Sequence, residues 1–313
     1  MKKIQKNSKI FISGHKGLVG SSILRLLNKN GYKNVHIKSK KQLNLLNQQK
    51  VFKYLYSNKF DLVIIAAAKV GGINANNVFR AQFIYENLQI QNNLIHGSFL
   101  SNVKNLIFFG SSCVYPKYAN QPIKEDYLLS GKLENTNEPY AIAKIAGIKM
   151  CESYNLQYGT SYKCLMPTNT FGENDNFDLN TSHFIPAIIR KIINAKKKSK
   201  KVLRLWGSGK VKREIMYVGD IADACLFFMN KKTKETLINI GSGYERTIKF
   251  YANFIKKIIY PELKIKFDYN SLDGTPRKIM NNNLSKKYGW KSKHNVEKLL
   301  ISVIEKIENN NNF

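Results

Sequence analysis

Apolar runs about a strand long alternate along this chain with stretches of helical spacing. KIFISG (Lys9–Gly14) ends on a glycine, and Leu18, Val19, Ile23, Leu26 and Leu27 then recur along one helix face. VHI (Val35–Ile37) predicts a second strand, and LVIIAAA (Leu62–Ala68) a third, continuous enough to be buried on both faces. Residues around Gln48–Ser57 read as the crossover helix between them. Phe83–Phe99 predicts a further helix, NLIFFG (Asn105–Gly110) a buried strand, Tyr140–Gly159 a long helix and Tyr162–Met166 the next strand. Strands alternating with helices in this way imply βαβ units on a doubly wound parallel sheet.

After Pro167 the pattern changes. FGENDNFDLNTS (Phe171–Ser182) is a long polar loop, followed by a helix over Phe184–Ala195 and a strand in VLRLWGSG. EIMYV (Glu214–Val218), a helix over Asp220–Met229 and the strand LINIGSG come next. A helix, the short strand KIKFDY, the turn DGTPRK and a terminal helix complete the chain. There are no internal repeats.

Composition narrows the class. Four cysteines with no C-x-x-C spacing point to a reducing compartment rather than a disulfide or metal framework, so no metal is expected. No apolar run reaches the roughly 18 residues of a membrane span, so a cytoplasmic protein without a membrane partner is expected. The formal charge of +30 is abnormal. Its lysines are scattered, with one dense cluster at Lys196–Lys201 and no aromatic RNA-binding motif beside it. Nucleic acid is therefore not expected as the primary partner, whereas an anionic small molecule would gain from the field.

SGHKGLVGS places Gly14, Gly17 and Gly20 three apart at the first strand–helix turn. Glycines there allow a tight turn and let backbone N–H groups approach a pyrophosphate at the positive end of the helix. The second strand ends in VHIKSKK, with Lys38 and Lys40 and no acid, and Lys16 adds a cation inside the loop. That favours a 2′-phosphorylated cofactor, NADP(H), over NAD. Residues 1–168 thus read as an NADP-binding Rossmann domain, with segments near 214–243 returning to it. Residues 169–313 read as mainly a smaller mixed α/β substrate domain.

Tyr140 and Lys144 stand four apart on one helix, so both project from the same face. A nearby ammonium favours the phenolate and makes proton exchange practical near neutral pH. Ser111, at a strand end, can hold a carbonyl oxygen against that tyrosine. Cys113 follows Ser111 by two positions, which in an extended chain turns both side chains the same way. His183 opens the helix after the polar loop.

GHKGLVGS, AAAKVGGINANN, GSSCVYPK, NEPYAIAKIAG, MPTNTFGENDNF, SHFIPAIIRK, WGSGKVKRE and DGTPRK resemble the GDP-L-fucose synthases of the extended short-chain dehydrogenase/reductase family, from about Lys9 to Trp290. The resemblance implies an NADPH-dependent homodimer that epimerises carbons 3 and 5 of GDP-4-keto-6-deoxy-mannose and reduces its 4-ketone. It implies Ser111, Tyr140 and Lys144 as the reductive set, and Cys113 and His183 as the acid/base pair of the epimerisations. Gly14, Lys16, Gly17, Leu18, Val19, Gly20, Lys40 and Lys144 fall to the cofactor. Asn169, His183, Lys191, Trp206, Arg213 and Lys278 fall to the GDP-sugar. The chain departs from the usual pattern at Lys16 and Lys40 (arginine), at Tyr217 and Gly219 (YVGD for HVDD), at Asn281 (aspartate) and at Glu173 (proline). The alternatives are another nucleotide-sugar epimerase, dehydratase or reductase of the same family, or, from a different class, an inactive NADP-binding or basic RNA-binding protein.

Overall fold

The computed structural model describes residues 3–268 and 274–309. Tyr269 of the expected KIKFDY strand and Asp273 of the DGTPRK turn lie outside them. The first half follows the alternation of the sequence closely: β1 (Ile10–Ser13), α1 (Leu18–Lys29), β2 (Val35–Ile37), α2 (Gln48–Asn58), β3 (Leu62–Ile65), α3 (Ile73–Val78), α4 (Arg80–Leu100), β4 (Asn105–Phe109), α5 (Glu138–Tyr158) and β5 (Ser161–Pro167). Local chemistry sets several boundaries. Asn47 caps α2 by accepting the Lys50 N–H. Pro139 opens α5, and Gly159 closes it at φ +63°, a backbone conformation that suits glycine.

The second half comprises β6 (Asn169–Phe171), α6 (Phe184–Lys197), β7 (Val202–Trp206), β8 (Lys212–Tyr217), α7 (Val218–Phe228), β9 (Leu237–Ile240), β10 (Glu245–Thr247), α8 (Ile248–Ile259), β11 (Lys264–Asp268), β12 (Arg277–Lys278), α9 (Asn283–Lys287) and α10 (Val296–Asn309). The short elements α3, β6, β10, β12 and α9 have no counterpart in the sequence reading, because two to six residues show no resolvable period.

Six parallel strands form the main sheet in the order β2-β1-β3-β4-β5-β9. Period-two alternation divides its side chains. Phe11, Val63 and Phe108 join a core with α2, α4 and α5, whereas Ile10, Ile12, Ile64 and Ile107 face α1 and α7. Covered on both faces, β1, β3 and β4 are buried throughout. The strand order reverses at β1, between β2 and β3, so a crevice opens at the carboxyl ends of the strands there.

A second layer builds on β8, which pairs with β6, β10 and β12, and on the parallel pair β7–β11. Its own core joins Ile189 and Ile192 of α6 to Ile255 of α8 and Val303 of α10. Of the segment 214–243, α7 and β9 pack with the main sheet, while Glu214–Tyr217 belong to β8 of the second layer.

Candidate active site

The crevice at the strand ends is a cavity of about 890 Å³. Gly14–Gly20 and Lys38–Lys40 line one end; Ser111, Tyr140, Asn169 and His183 line the other. Two of the three loop glycines are required by packing. Gly14 has φ +77° and a Cβ on it would lie 2.6 Å from the Ala67 nitrogen; one on Gly20 would lie 2.2 Å from the Gly14 carbonyl oxygen. Gly17 meets nothing closer than 3.5 Å, so its bare backbone leaves the mouth of the turn open to a ligand. It also caps α1, where unpaired N–H groups favour an anion. Lys16 and Lys40 are exposed at this end, and Lys38, Ser39 and Lys40 together line it without a carboxylate. The residues fit a dinucleotide with an extra phosphate. His15 Nδ1 and Asp175 Oδ2 are buried without a hydrogen-bond partner among the described residues, as donors and acceptors awaiting a polar ligand would be.

At the other end β4 and α5 bring the reductive set together. Lys144 is buried; its Nζ donates to the Phe109 carbonyl at 2.8 Å and sits 4.5 Å from the Phe108 ring centroid. Burial lowers its pKa to about 8, partly offset by the neighbouring Cys113 and Cys164 thiols. Tyr140 differs from the sequence expectation. Burial holds its hydroxyl well above the usual phenol range, Cys113 adds to that, and the hydrogen bond with Ser111 offsets only part. Lys144 is occupied by the Phe109 carbonyl, 5.8 Å from the Tyr140 ring centroid. The upward shift favours the neutral phenol at Tyr140, a proton donor.

Cys113 reaches the same spot by a different route from the one its spacing suggests. Ser111 is extended, but Ser112–Val114 is a single 3₁₀ turn, so the two side chains are not on one face of a strand. The turn instead folds the thiol back into hydrogen-bonding contact with Ser111. Burial raises the Cys113 pKa, and the Lys278 ammonium, Ser111 and Lys144 each pull it back. His183, at the N-cap of α6, faces into the cavity; its surroundings lower its pKa, by desolvation first and by Lys278 second. Lys278 is itself lowered by burial and lies in the fields of Cys113 and Arg213. Ser111, Cys113, Tyr140, Lys144, His183 and Lys278 thus form one electrostatically connected group.

The remaining expected substrate residues lie beyond it. Arg213 on β8 stands opposite Lys278 in the parallel β12–β8 register. Trp206 is 70% exposed at the end of β7, with Lys191 Nζ 5.1 Å from its ring centroid, and is away from the cavity lining. Asn169 lines the cavity and donates to the Glu214 carbonyl at 3.0 Å. Glu214 is a residue the sequence reading misses. Fully buried, it accepts the Gly243 N–H at 2.7 Å and the Met280 N–H at 2.8 Å, so it fixes the end of β12 against β8. Lys69 and Glu86 are also missed; they form a 2.6 Å ion pair in the cavity wall, and Asn87 pins the Lys69 backbone through both its amide groups. Their place at the carboxyl end of a buried strand was the available signal. Asn74, in GGINANN, is exposed and off the cavity, whereas Asn76 is buried and donates to the Gly71 and Gly72 carbonyls.

Among the described residues no helix is long and apolar enough to cross a membrane, and no group of three His, Cys, Asp or Glu could hold a metal ion.

A doubly wound sheet with a glycine turn and a Ser–Tyr–Lys set at its strand ends defines a nucleotide-dependent oxidoreductase or epimerase. The profile of the NAD dependent epimerase/dehydratase family matches residues 10–241, and the chain belongs to that family. It is 47% identical to the "Putative GDP-L-fucose synthase 2" of Arabidopsis thaliana over 93% of this chain and 88% of that one. It is 42% identical to the GDP-L-fucose synthase of Escherichia coli K12 over 97% and 98% of the two chains. Among solved structures, "MlghC, GDP-mannoheptose C4 reductase from Campylobacter jejuni with NADP bound" superposes with a TM-score of 0.88 at 38% identity, covering 97% of this chain and 99% of that one.

Proposed function

We propose that the chain converts GDP-4-keto-6-deoxy-mannose to GDP-L-fucose, inverting carbons 3 and 5 and then reducing carbon 4 with NADPH. The observation that carries this is that Cys113 and His183 both lie in the field of Lys278, with Cys113 also coupled to Ser111, Tyr140 and Lys144. A ketone reductase alone has no use for a thiol and an imidazole at the same carbonyl.

Carbons 3 and 5 flank the ketone, so loss of a proton from either gives an enolate. Ser111 and Tyr140, placed to hydrogen-bond the ketone oxygen, stabilise the charge as it develops there. Inversion needs one group free to take a proton and one loaded to give it on the other face. A thiol whose pKa is raised and an imidazole whose pKa is lowered hold one labile proton between them at neutral pH. Lys278, beside both, favours the thiolate as it forms and keeps the imidazole neutral. Bound NADPH supplies the hydride for carbon 4. Tyr140 then gives its proton to the oxygen, and Ser111 holds that oxygen in line.

Arg213 and Lys278 suit the diphosphate or sugar, Trp206 and Lys191 the base, and Asn169 the sugar. Residues before 168, with α7 and β9, serve the cofactor, and the second layer serves the substrate. We further place the enzyme in the cytoplasm and infer a homodimer. Supporting the dimer, Tyr85 and Leu100 of α4 and Ile142 and Leu156 of α5 leave apolar side chains exposed on adjoining helices. Mixing the protein with NADPH and GDP-4-keto-6-deoxy-mannose should oxidise the nicotinamide and yield GDP-L-fucose. Folded protein that oxidises nothing overturns the reading.

A further inference from the structure

The loop between β6 and α6 forms a roof over the cavity. Asn174 Nδ2 donates to Ser21 Oγ at 3.2 Å, in the first turns of α1, and the Thr181 carbonyl accepts the Gly72 N–H at 2.8 Å. Its root is anchored at Glu173, which accepts from the Tyr217 hydroxyl at 2.9 Å and pairs with Lys306 of α10 at 3.1 Å. Asn174, Asp175, Asn176 and Thr181 line the same cavity as Gly14–Gly20. Within this roof one oxygen of Asp175 accepts the Asn176 N–H at 2.8 Å, while the other is buried and has no partner among the described residues.

A carboxyl group in that position meets a conflict. Asn174 docks the loop on the end of α1 that favours anions, where the glycine turn would hold a diphosphate. Two anions cannot share a desolvated site unless one takes up a proton. We propose that Asp175 is a cofactor-binding residue that meets the dinucleotide diphosphate as a neutral carboxyl, donating from Oδ2, so that cofactor binding takes up one proton. This rests on the dinucleotide reading of the cavity. The proton comes from the buffer, bonds to Oδ2 and returns on release; no other bond changes.

The titratable and charged groups that line the same cavity are His15 and Lys16 from the glycine turn, Lys38 and Lys40 after β2, the Lys69–Glu86 pair from the segment after β3 and from α4, Tyr140 of α5 and His183 at the N-cap of α6. On the loop itself, Asp178 spends its carboxylate on Asn180 and Thr181. Without ligand, burial raises the Asp175 carboxyl to about 7, the Asn176 N–H offsetting part of the rise. The free protein is therefore increasingly ionised at this residue above pH 7, and binding must reverse that ionisation.

The test is calorimetric titration of NADP+ into the whole protein at pH 7.5–8.5, in two buffers of different ionisation enthalpy. This range lies above the ~6 at which a phosphate monoester such as the 2′-phosphate titrates. Wild type should take up a proton fraction that rises toward one with pH, and its Kd should weaken by up to about tenfold per pH unit. Asp175→Asn, which keeps a donor but cannot ionise, should lose that uptake and keep only the smaller contribution of Lys144, which titrates near about 8 in the same range, with a correspondingly flatter Kd. Asn174→Ala, which undocks the loop from α1 without removing an ionisable group, should lower the proton count. Saturable wild-type binding without proton uptake overturns the proposal, as does uptake undiminished in Asp175→Asn. Absence of any NADP+ binding overturns the dinucleotide reading and the proposal together.

Discussion

The two chemistries of the site are built differently. The reductive residues Ser111, Tyr140 and Lys144 come from β4 and α5 of one layer, and Lys144 is locked to the Phe109 carbonyl at 2.8 Å before any ligand arrives. The epimerising residues straddle two layers. Cys113 sits on a 3₁₀ turn of the first, while His183 caps α6 and Lys278 lies on β12 of the second. Reduction is thus a property of one packed unit, whereas epimerisation depends on how the two layers meet. Perturbations should therefore separate the two activities.

The largest separation should come from the shared oxygen site. Tyr140→Phe removes the proton donor for carbon 4, and NADPH oxidation should fall about 10²–10⁴-fold, the usual weight of a positioned acid. Deuterium uptake from solvent into the sugar should persist at a reduced rate, because Ser111 still polarises the ketone. Retained full-rate reduction would dismiss Tyr140 as the donor. The converse variant, Cys113→Ser, should slow solvent exchange by a similar factor. A sugar already epimerised at carbons 3 and 5 should still be reduced at close to the normal rate. Solvent exchange undiminished in that variant would break the assignment of the thiol.

A third, smaller effect tests the bridging itself. Glu214 accepts the Gly243 and Met280 N–H groups and holds the end of β12. Glu214→Gln turns one acceptor into a donor facing an N–H, which should cost about 1–3 kcal/mol of stability. Solvent exchange should then fall more than reduction of the pre-epimerised sugar, since Lys278 is on the loosened strand and Lys144 is not. Denaturant unfolding together with the two rates checks both parts. Equal loss of the two rates would make Glu214 merely structural.

The same contrast marks what could be read in the chain before folding. The reductive set was legible because Tyr140 and Lys144 are four residues apart on a helix whose ends Pro139 and Gly159 announce. The main sheet was legible because its strands are apolar on both faces. The geometry of Cys113 was not: a three-residue 3₁₀ turn leaves no period in the sequence, so extended spacing does not describe how the thiol is placed. Lys278 was nameable by motif, but its reach to both Cys113 and His183 depends on a two-residue strand pairing with β8, a long-range contact that local pattern cannot encode. The roles of Asp175 and Glu214 were hidden for a related reason. An isolated acid in a polar loop or strand reads as solvated until its burial is known.

The finest separation should be in pH. His183 is lowered from its ordinary 6.5, so it charges only as pH falls below that value, and the accepting member of the epimerising pair is lost on the acid side. Cys113 is raised above its ordinary value, so the loaded member keeps its proton well into the alkaline range. Solvent exchange should accordingly show a broad plateau across neutrality. Reduction of a pre-epimerised sugar uses neither group and should lack the acid limb. Instead it should weaken as pH rises past about 8, where Lys144 loses its charge and Tyr140 loses the nearby cation that favours proton transfer. The two profiles, recorded on one preparation with isotope exchange and nicotinamide absorbance, should cross. Superimposable profiles would mean that one ionisation governs both steps, and the division of the site into a one-layer reductase and a two-layer epimerase would fail.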